Sequence, residues 1–377
     1  MSTTTQPVTT ESVPPSLQLG RRFASRFLPA EAASDCGRSA ESDRFRRIAF
    51  GLFAFYMIVA VGIYLWRGIF FTPDRWAIFL LVAALVLGRV GSFLRDWIPF
   101  VLLIFGYEYL RGIAGDIVMD GQRVYDVPRS ALPEVRLENL MRFDEVLFFG
   151  HSPIILIQDH IYERGNPHWW DYFALIMYSM HFVLPCVFAF VLWLTDKRRF
   201  WTFTIAFCFM TYVAFAFFLL YPAAPPWLAQ TWGAMEGLGF PQNHVLEAIQ
   251  PEGFATLDTF AIWGNASPHP VAAMPSLHAS FPWLVMLFAV RYYGWKGLWF
   301  LAYNVALWYS VLYTANHWFV DVLAGMLWAT ISFFVVIWAI DAIAERVGPV
   351  GWLSVPLRSL EPVRRLLPGA GREASHG

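Results

Sequence analysis

Residues 316–340 read NHWFVDVLAGMLWATISFFVVIWAI. From Trp318 to Ile340 the run holds one charged side chain, Asp321, close to its start. A helix crosses the hydrocarbon core of a bilayer with about 20 apolar residues. This stretch is therefore expected to span a membrane, with polar groups gathered at one mouth. His317 and Asp321 are four positions apart, which places both on one face of a helix, about 6 Å apart along its axis.

The rest of the chain agrees with that beginning. Of its 377 residues 57% are hydrophobic, 18% aromatic and only 15% charged, and the mean hydropathy is +0.48. Such values exclude an ordinary soluble domain and point to an all-α, polytopic transmembrane bundle. The net charge of −1 offers no basic surface for nucleic acid. Full-length spans are expected at Ile48–Trp66, Tyr172–Leu194, Phe200–Tyr221 and Trp318–Ile340, with Leu298–Thr314 adequate. Trp76–Val90, Trp97–Ala114 and Ala279–Tyr293 are shorter or interrupted, which brings the total to eight. Were the first two of these three together one re-entrant pair, the parity and the later orientation would be unchanged. With both termini inside, inner segments hold 19 of the 27 Lys and Arg, and the stretch Pro222–His278 holds none. That is the cytoplasmic excess expected of a multi-pass protein.

Residues 1–43 are rich in Ser, Thr, Pro and Ala and read as a disordered cytoplasmic tail, and 341–377 as a second tail. The first apolar run starts only at Ile48 and has span length, so no cleavable signal is expected. Cys36, Cys186 and Cys208 are expected as free thiols. Two long outer segments remain. Gly115–Trp170 contains VLFFGHSPIILIQ (146–158), which reads as dipping into the interface or as an amphipathic surface helix. Pro222–Pro275, opening on YPAAPPW, is expected to cover the mouth of the bundle.

The topology sets His278, in AMPSLHAS (273–280), at the outer start of one span and His317 at the outer start of the last. Asp321 can fix the tautomer of His317 and leave its other nitrogen outward as a base or nucleophile. An ionisable group inside the apolar layer is a functional hypothesis by default, though the pair can also satisfy each other between packed helices. Pro275 suits the first turn of a helix, so the N–H groups of Ser276, Leu277 and His278 are expected to point outward at an anion. The Ser276 hydroxyl can add a bond, and an N-cap serine is the plainer reading. Two imidazoles, a carboxylate and an anion site suit phosphoryl transfer. Tyr178 and His181 share a face and either line a headgroup pocket or make an interhelical hydrogen bond. His151, His160, His168, His244, His269 and His376 form no metal-ligand pattern, and no metal or other cofactor is expected.

The motif Pro275-Ser276-Leu277-His278, followed by His317-x-x-x-Asp321, resembles the type 2 phosphatidic acid phosphatase superfamily. Leu277 stands where that family has glycine, and Val311 where its Ser-Arg motif, here beginning at Ser310, has arginine. Its lysine-bearing first motif should fall in FLLYPAAPPWLAQ (218–230), which has neither Lys nor Arg. These departures resemble the inositol phosphorylceramide synthase branch. The resemblance implies a six-helix catalytic membrane domain over 97–340, with two extra N-terminal spans in 44–96. It implies His317 as nucleophile, Asp321 as its orienter and His278 as acid and base. It implies phosphate binding by Ser276 and a place for Ser310. Arg111 in YEYLRG, paired with Glu108, is a candidate for the missing charge, with Arg142 and Arg164 behind it; a snorkelling side chain is the plainer reading of Arg111.

The expected activity is metal-independent transfer or hydrolysis of a lipid phosphoester at the outer face, with a lipid or water as acceptor, in a plasma-membrane protein. A simple lipid phosphate phosphatase is the alternative. A lipid or anion transporter, or a haem protein with His278 and His317 as axial ligands, is the alternative of another class. No inverted repeat is visible to favour transport.

Overall fold

The computed structural model describes residues 80–85, 88–119, 127–241 and 269–347, with Gly51 and Val245 besides. The expected span Ile48–Trp66, most of Trp76–Val90 and both tails lie outside the described residues. The helices are α1 (Val90–Met119), α2 (Glu138–Leu147), α3 (Pro153–Ile161), α4 (Trp169–Met180), α5 (Val183–Thr195), α6 (Lys197–Leu220), α7 (Pro226–Thr231), α8 (Leu277–Tyr293), α9 (Phe300–Tyr313) and α10 (Phe319–Val347). Extended pairing among the described residues is limited to isolated parallel bridges, Arg136 with Ala223 and Ala223 with Ala272.

Three segments are long and apolar enough to cross a membrane: Val90–Gly115, Lys197–Leu220 and Phe319–Ile343. Helices α4 and α5 pass the same test only together, bent by 49°. This corrects the single unbroken span expected over Tyr172–Leu194. Pro185 has no N–H to give and its ring crowds the carbonyl of His181, so the helix breaks there. Helices α8 and α9, with 17 and 14 residues, fall short of span length taken singly. Many large apolar side chains face outward, among them Leu102 and Ile117 on α1 and Leu327, Phe334 and Trp338 on α10. Water would not tolerate so wide an apolar surface, and lipid does.

Helix α8 is the centre of the bundle, packing on α5, α6, α9 and α10. Its own Phe281 and Phe288 join a body of aromatic rings that includes Trp97, Phe100, Phe203, Phe207 and Phe333. A second core gathers the short segments over one end of the bundle. There Leu137, Leu140, Ala223, Leu228 and Val271 pack against Leu307, Val311, Trp318 and Val322. The Trp318 indole donates to the Ala224 carbonyl at 2.8 Å, tying YPAAPPW to the start of α10. The stretch 146–158 is the corner between α2 and α3, two short helices in this cap.

Two backbone features close α8 on α10. The Ser280 hydroxyl donates to the Gly325 carbonyl at 2.9 Å, and the Ser276 N–H donates to the Asp321 carbonyl at 3.0 Å. Gly325 permits this: a Cβ there would lie 2.4 Å from the Ser276 carbonyl oxygen.

Candidate active site

Ser276 is the N-cap of α8, its hydroxyl oxygen accepting from the Ala279 N–H at 3.2 Å. Pro275 therefore lies before the cap and not in the first turn, and the Ser276 N–H is held by Asp321. Of the three N–H groups expected for an anion, those of Leu277 and His278 remain. Two residues along, His278 meets the segment just before α10. Its Nδ1 lies 3.0 Å from Nε2 of His317. His317 is 4% exposed and Asp321 fully buried, and His317 Nδ1 stands 3.5 Å from Asp321 Oδ2. That distance is longer than a hydrogen bond, and His317 Nδ1 has no hydrogen-bond partner among the described residues. Asp321 Oδ2 accepts from the Trp318 N–H at 2.9 Å. Asp321 Oδ1 and His278 Nε2 are buried without a hydrogen-bond partner among the described residues.

The α4–α5 break supplies the next shell. Tyr178 stacks on His278 with centroids 4.6 Å apart, and the His181 ring lies 4.0 Å from that of His278. His181 Nδ1 donates to the Tyr178 carbonyl at 2.7 Å, within its own turn, so the expected interhelical bond is not made. Arg111 pairs with Glu108 at 2.9 Å, and its charge acts on Tyr178, His181 and His278. Ser310 is different: its hydroxyl donates to the Ala306 carbonyl at 2.7 Å in its own helix, a commitment that explains a buried serine without any ligand.

His269, given no role from its sequence position, is 6% exposed with both ring nitrogens unpartnered among the described residues. Burial, with the Arg111 charge nearby, pushes its pKa down to about 4, so it is neutral at pH 7. The only sequence signal was its place seven residues before Ser276. Gly325 also went unnoticed, although it extends the His317, Asp321 spacing by one further turn. A cap cleft of about 410 Å³, lined by Met141, Glu145, His151 and Glu236 among others, contains none of His181, His269, His278 and His317. No group of His, Cys, Asp and Glu suited to hold a metal ion occurs among the described residues.

A membrane-compatible helical bundle that brings a part-buried and a buried imidazole into contact, with a buried carboxylate behind them, at its capped end is thus the setting for the sequence motifs. The chain belongs to the PAP2 superfamily, whose family model matches residues 138–335, more than half of the 377. It is 25% identical over 266 residues to the phosphoinositol dihydroceramide synthase of Bacteroides thetaiotaomicron, covering 66% of this chain and 85% of that protein. It is 27% identical over 175 residues to the inositol phosphorylceramide synthase catalytic subunit of Schizosaccharomyces pombe, covering 43% of this chain and 39% of that one. The inositol phosphorylceramide synthase of Candida albicans is 28% identical over 167 residues, 41% of this chain and 33% of that one. No solved structure matches the chain significantly.

Proposed function

We propose that the protein is a membrane-embedded lipid phosphotransferase that moves a phospho-headgroup, of the phosphoinositol class, onto a lipid hydroxyl through a phospho-histidine intermediate. The observation that carries this reading is the His278–His317 contact of 3.0 Å between two helices, with Asp321 behind it. The names of the similar proteins supply the headgroup and acceptor classes.

With the Asp321 carboxylate facing Nδ1 at 3.5 Å and favouring the proton there, His317 keeps a lone pair on Nε2, and His278 Nδ1 holds the proton between the two rings. At 3.0 Å the two nitrogens leave no room for phosphorus, so substrate must part the rings. His317 Nε2 then attacks phosphorus, the ester P–O bond breaks, and His278, carrying a second proton on Nε2 as an imidazolium, gives its Nδ1 proton to the departing lipid alcohol and is left neutral. In the second half the acceptor hydroxyl gives its proton to His278, its oxygen attacks phosphorus, and the P–N bond breaks. Arg111 and the N–H groups of Leu277 and His278 hold the phosphate oxygens, replacing the family's absent Lys and Arg. Ser276 sets that helix end, while Tyr178 and His181 wall the headgroup. These groups supply the required charge without a metal.

The architecture goes with this chemistry. Helices α1, α4 with α5, α6, α8, α9 and α10 form the six-span catalytic unit over 97–340, two further spans precede it in 44–96, and the tails are cytoplasmic. Its capped end is the outer face of the plasma membrane. The test is to incubate purified protein with an inositol phospholipid and ceramide, following phosphoinositol ceramide and released inositol phosphate together. A new phospholipid made by wild type and lost in His317→Ala is the expected result. Turnover unchanged in that variant overturns the reading, and release without transfer makes the enzyme a hydrolase.

A further inference from the structure

Helix α10 begins with a conflict over one carboxylate. A helix start leaves its first N–H groups without intrahelical partners, and an Asp in the first turn is well placed to reach back to them. Asp321 is that residue, yet the same Oδ2 faces His317. An Asp321 turned fully to its own helix end would be lost to the imidazole.

A second carboxylate relieves the conflict from far away in sequence. Asp144, on α2, is 1% exposed. Its Oδ2 accepts from the Phe319 N–H at 2.7 Å and its Oδ1 from the Val320 N–H at 2.9 Å. Only the Trp318 N–H is left to Asp321. The Phe148 ring, at the end of α2, packs edge-on against Phe319 at 5.1 Å and holds the two elements together. We propose that Asp144 is a positioning residue: by capping α10 from outside, it keeps the Asp321 carboxylate turned to His317. The catalytic half of this statement rests on the proposed function; the geometric half does not.

Removing the cap as Asp144→Ala leaves two buried N–H groups that Asp321 can reach by rotating away from His317. Turnover per folded molecule is expected to fall about 100-fold with KM nearly unchanged, the scale of a misplaced reacting group. Asp144→Asn keeps one acceptor and should recover part of the loss. Because the effect runs through Asp321, Asp144→Ala combined with Asp321→Asn should be no worse than Asp321→Asn alone. Losses that multiply, or a changed KM with kcat intact, overturn the proposal. The second readout needs no substrate: ¹⁵N-histidine spectra of wild type should show His317 protonated at Nδ1, and Asp144→Asn, the milder variant, should shift that tautomer. An unchanged His317 signal in Asp144→Asn and Asp144→Ala overturns the proposal even if the protein turns out to transfer no lipid headgroup. A shifted signal in an inactive protein upholds it while rejecting the enzymatic reading.

Discussion

Gly325→Ala is a small change at the point where α8 and α10 approach most closely. The added methyl would lie 2.4 Å from the Ser276 carbonyl oxygen, 3.1 Å from Ser280 Oγ and 3.2 Å from Ala279 Cβ. Ordinary contact begins at 3.4 Å, so the helices must part by about 1 Å. The obstacle is backbone and cannot rotate away. Parting stretches the Ser276 N–H bond to Asp321 and the Ser280 bond to Gly325, each worth about 1 kcal/mol. Overpacking adds about 1–3 kcal/mol, for a total loss of about 3–5 kcal/mol. The same displacement separates His278 from His317, and a misplacement of this size costs turnover about 100-fold. Thermal unfolding followed by tryptophan fluorescence, beside headgroup transfer per folded molecule, measures both effects. A variant with wild-type Tm refutes the close approach. A variant with lowered Tm but full turnover refutes the link from that approach to the imidazoles.

Other outcomes follow from the same geometry. Arg111→Ala should lower kcat/KM for a lipid phosphoester by about 10- to 100-fold, with Arg111→Lys recovering part, since a charge-assisted bond to phosphate contributes about 1.5–3 kcal/mol. Burial, with Asp321 nearby, pushes Asp144 from 3.8 up to about 6, against the pull of its two N–H donors. The folded state thus holds that proton more tightly, so Asp144 contributes stability below pH 3.8 that is lost as pH rises to about 6, up to roughly 3 kcal/mol, and Asp144→Asn should flatten this slope in Tm against pH. His269 does the reverse: its pKa falls from 6.5 to about 4, so stability present above 6.5 is lost as pH drops, and His269→Asn should remove that loss. Treatment with a strong chelator should leave headgroup transfer unchanged; loss restored by a divalent ion would refute a mechanism without metal.

Much of the helical membrane body was legible because lipid imposes a simple rule: an apolar run of span length is a helix. Lys197–Leu220 and Phe319–Ile343 fall where hydropathy set them, while Val90–Gly115 starts seven residues before the expected Trp97, because Arg95 and Asp96 interrupt the apolar run without ending the helix. The break before α5 was also written locally, in Pro185, but a run of apolar residues hides a bend. His317 and Asp321 were legible together from their four-residue spacing, although α10 starts only at Phe319 and His317 lies two residues before it. His278 came by resemblance, since nothing in a spacing of 39 residues says that two rings touch. Beyond that, the sequence is silent where partners are distant. Asp144 caps a helix 175 residues away, and the charge of Arg111, on α1, is felt at His278 on α8. The Ser276 N–H, read as free for an anion, is held by Asp321, because a helix end exposed in one dimension can be covered in three. His269 gave no signal beyond its nearness to Ser276 in the sequence, as a buried histidine without partners among the described residues looks like any loop histidine until its surroundings are known.

The most direct measurement is to quench the purified enzyme during turnover of an inositol phospholipid and map the modified residue by mass spectrometry. A phosphorus adduct on the His317 peptide, accumulating in His278→Ala when the leaving group is a good one and absent in His317→Ala, is the expected result. An adduct on any other residue, or full turnover by His317→Ala, would contradict the mechanism at its centre.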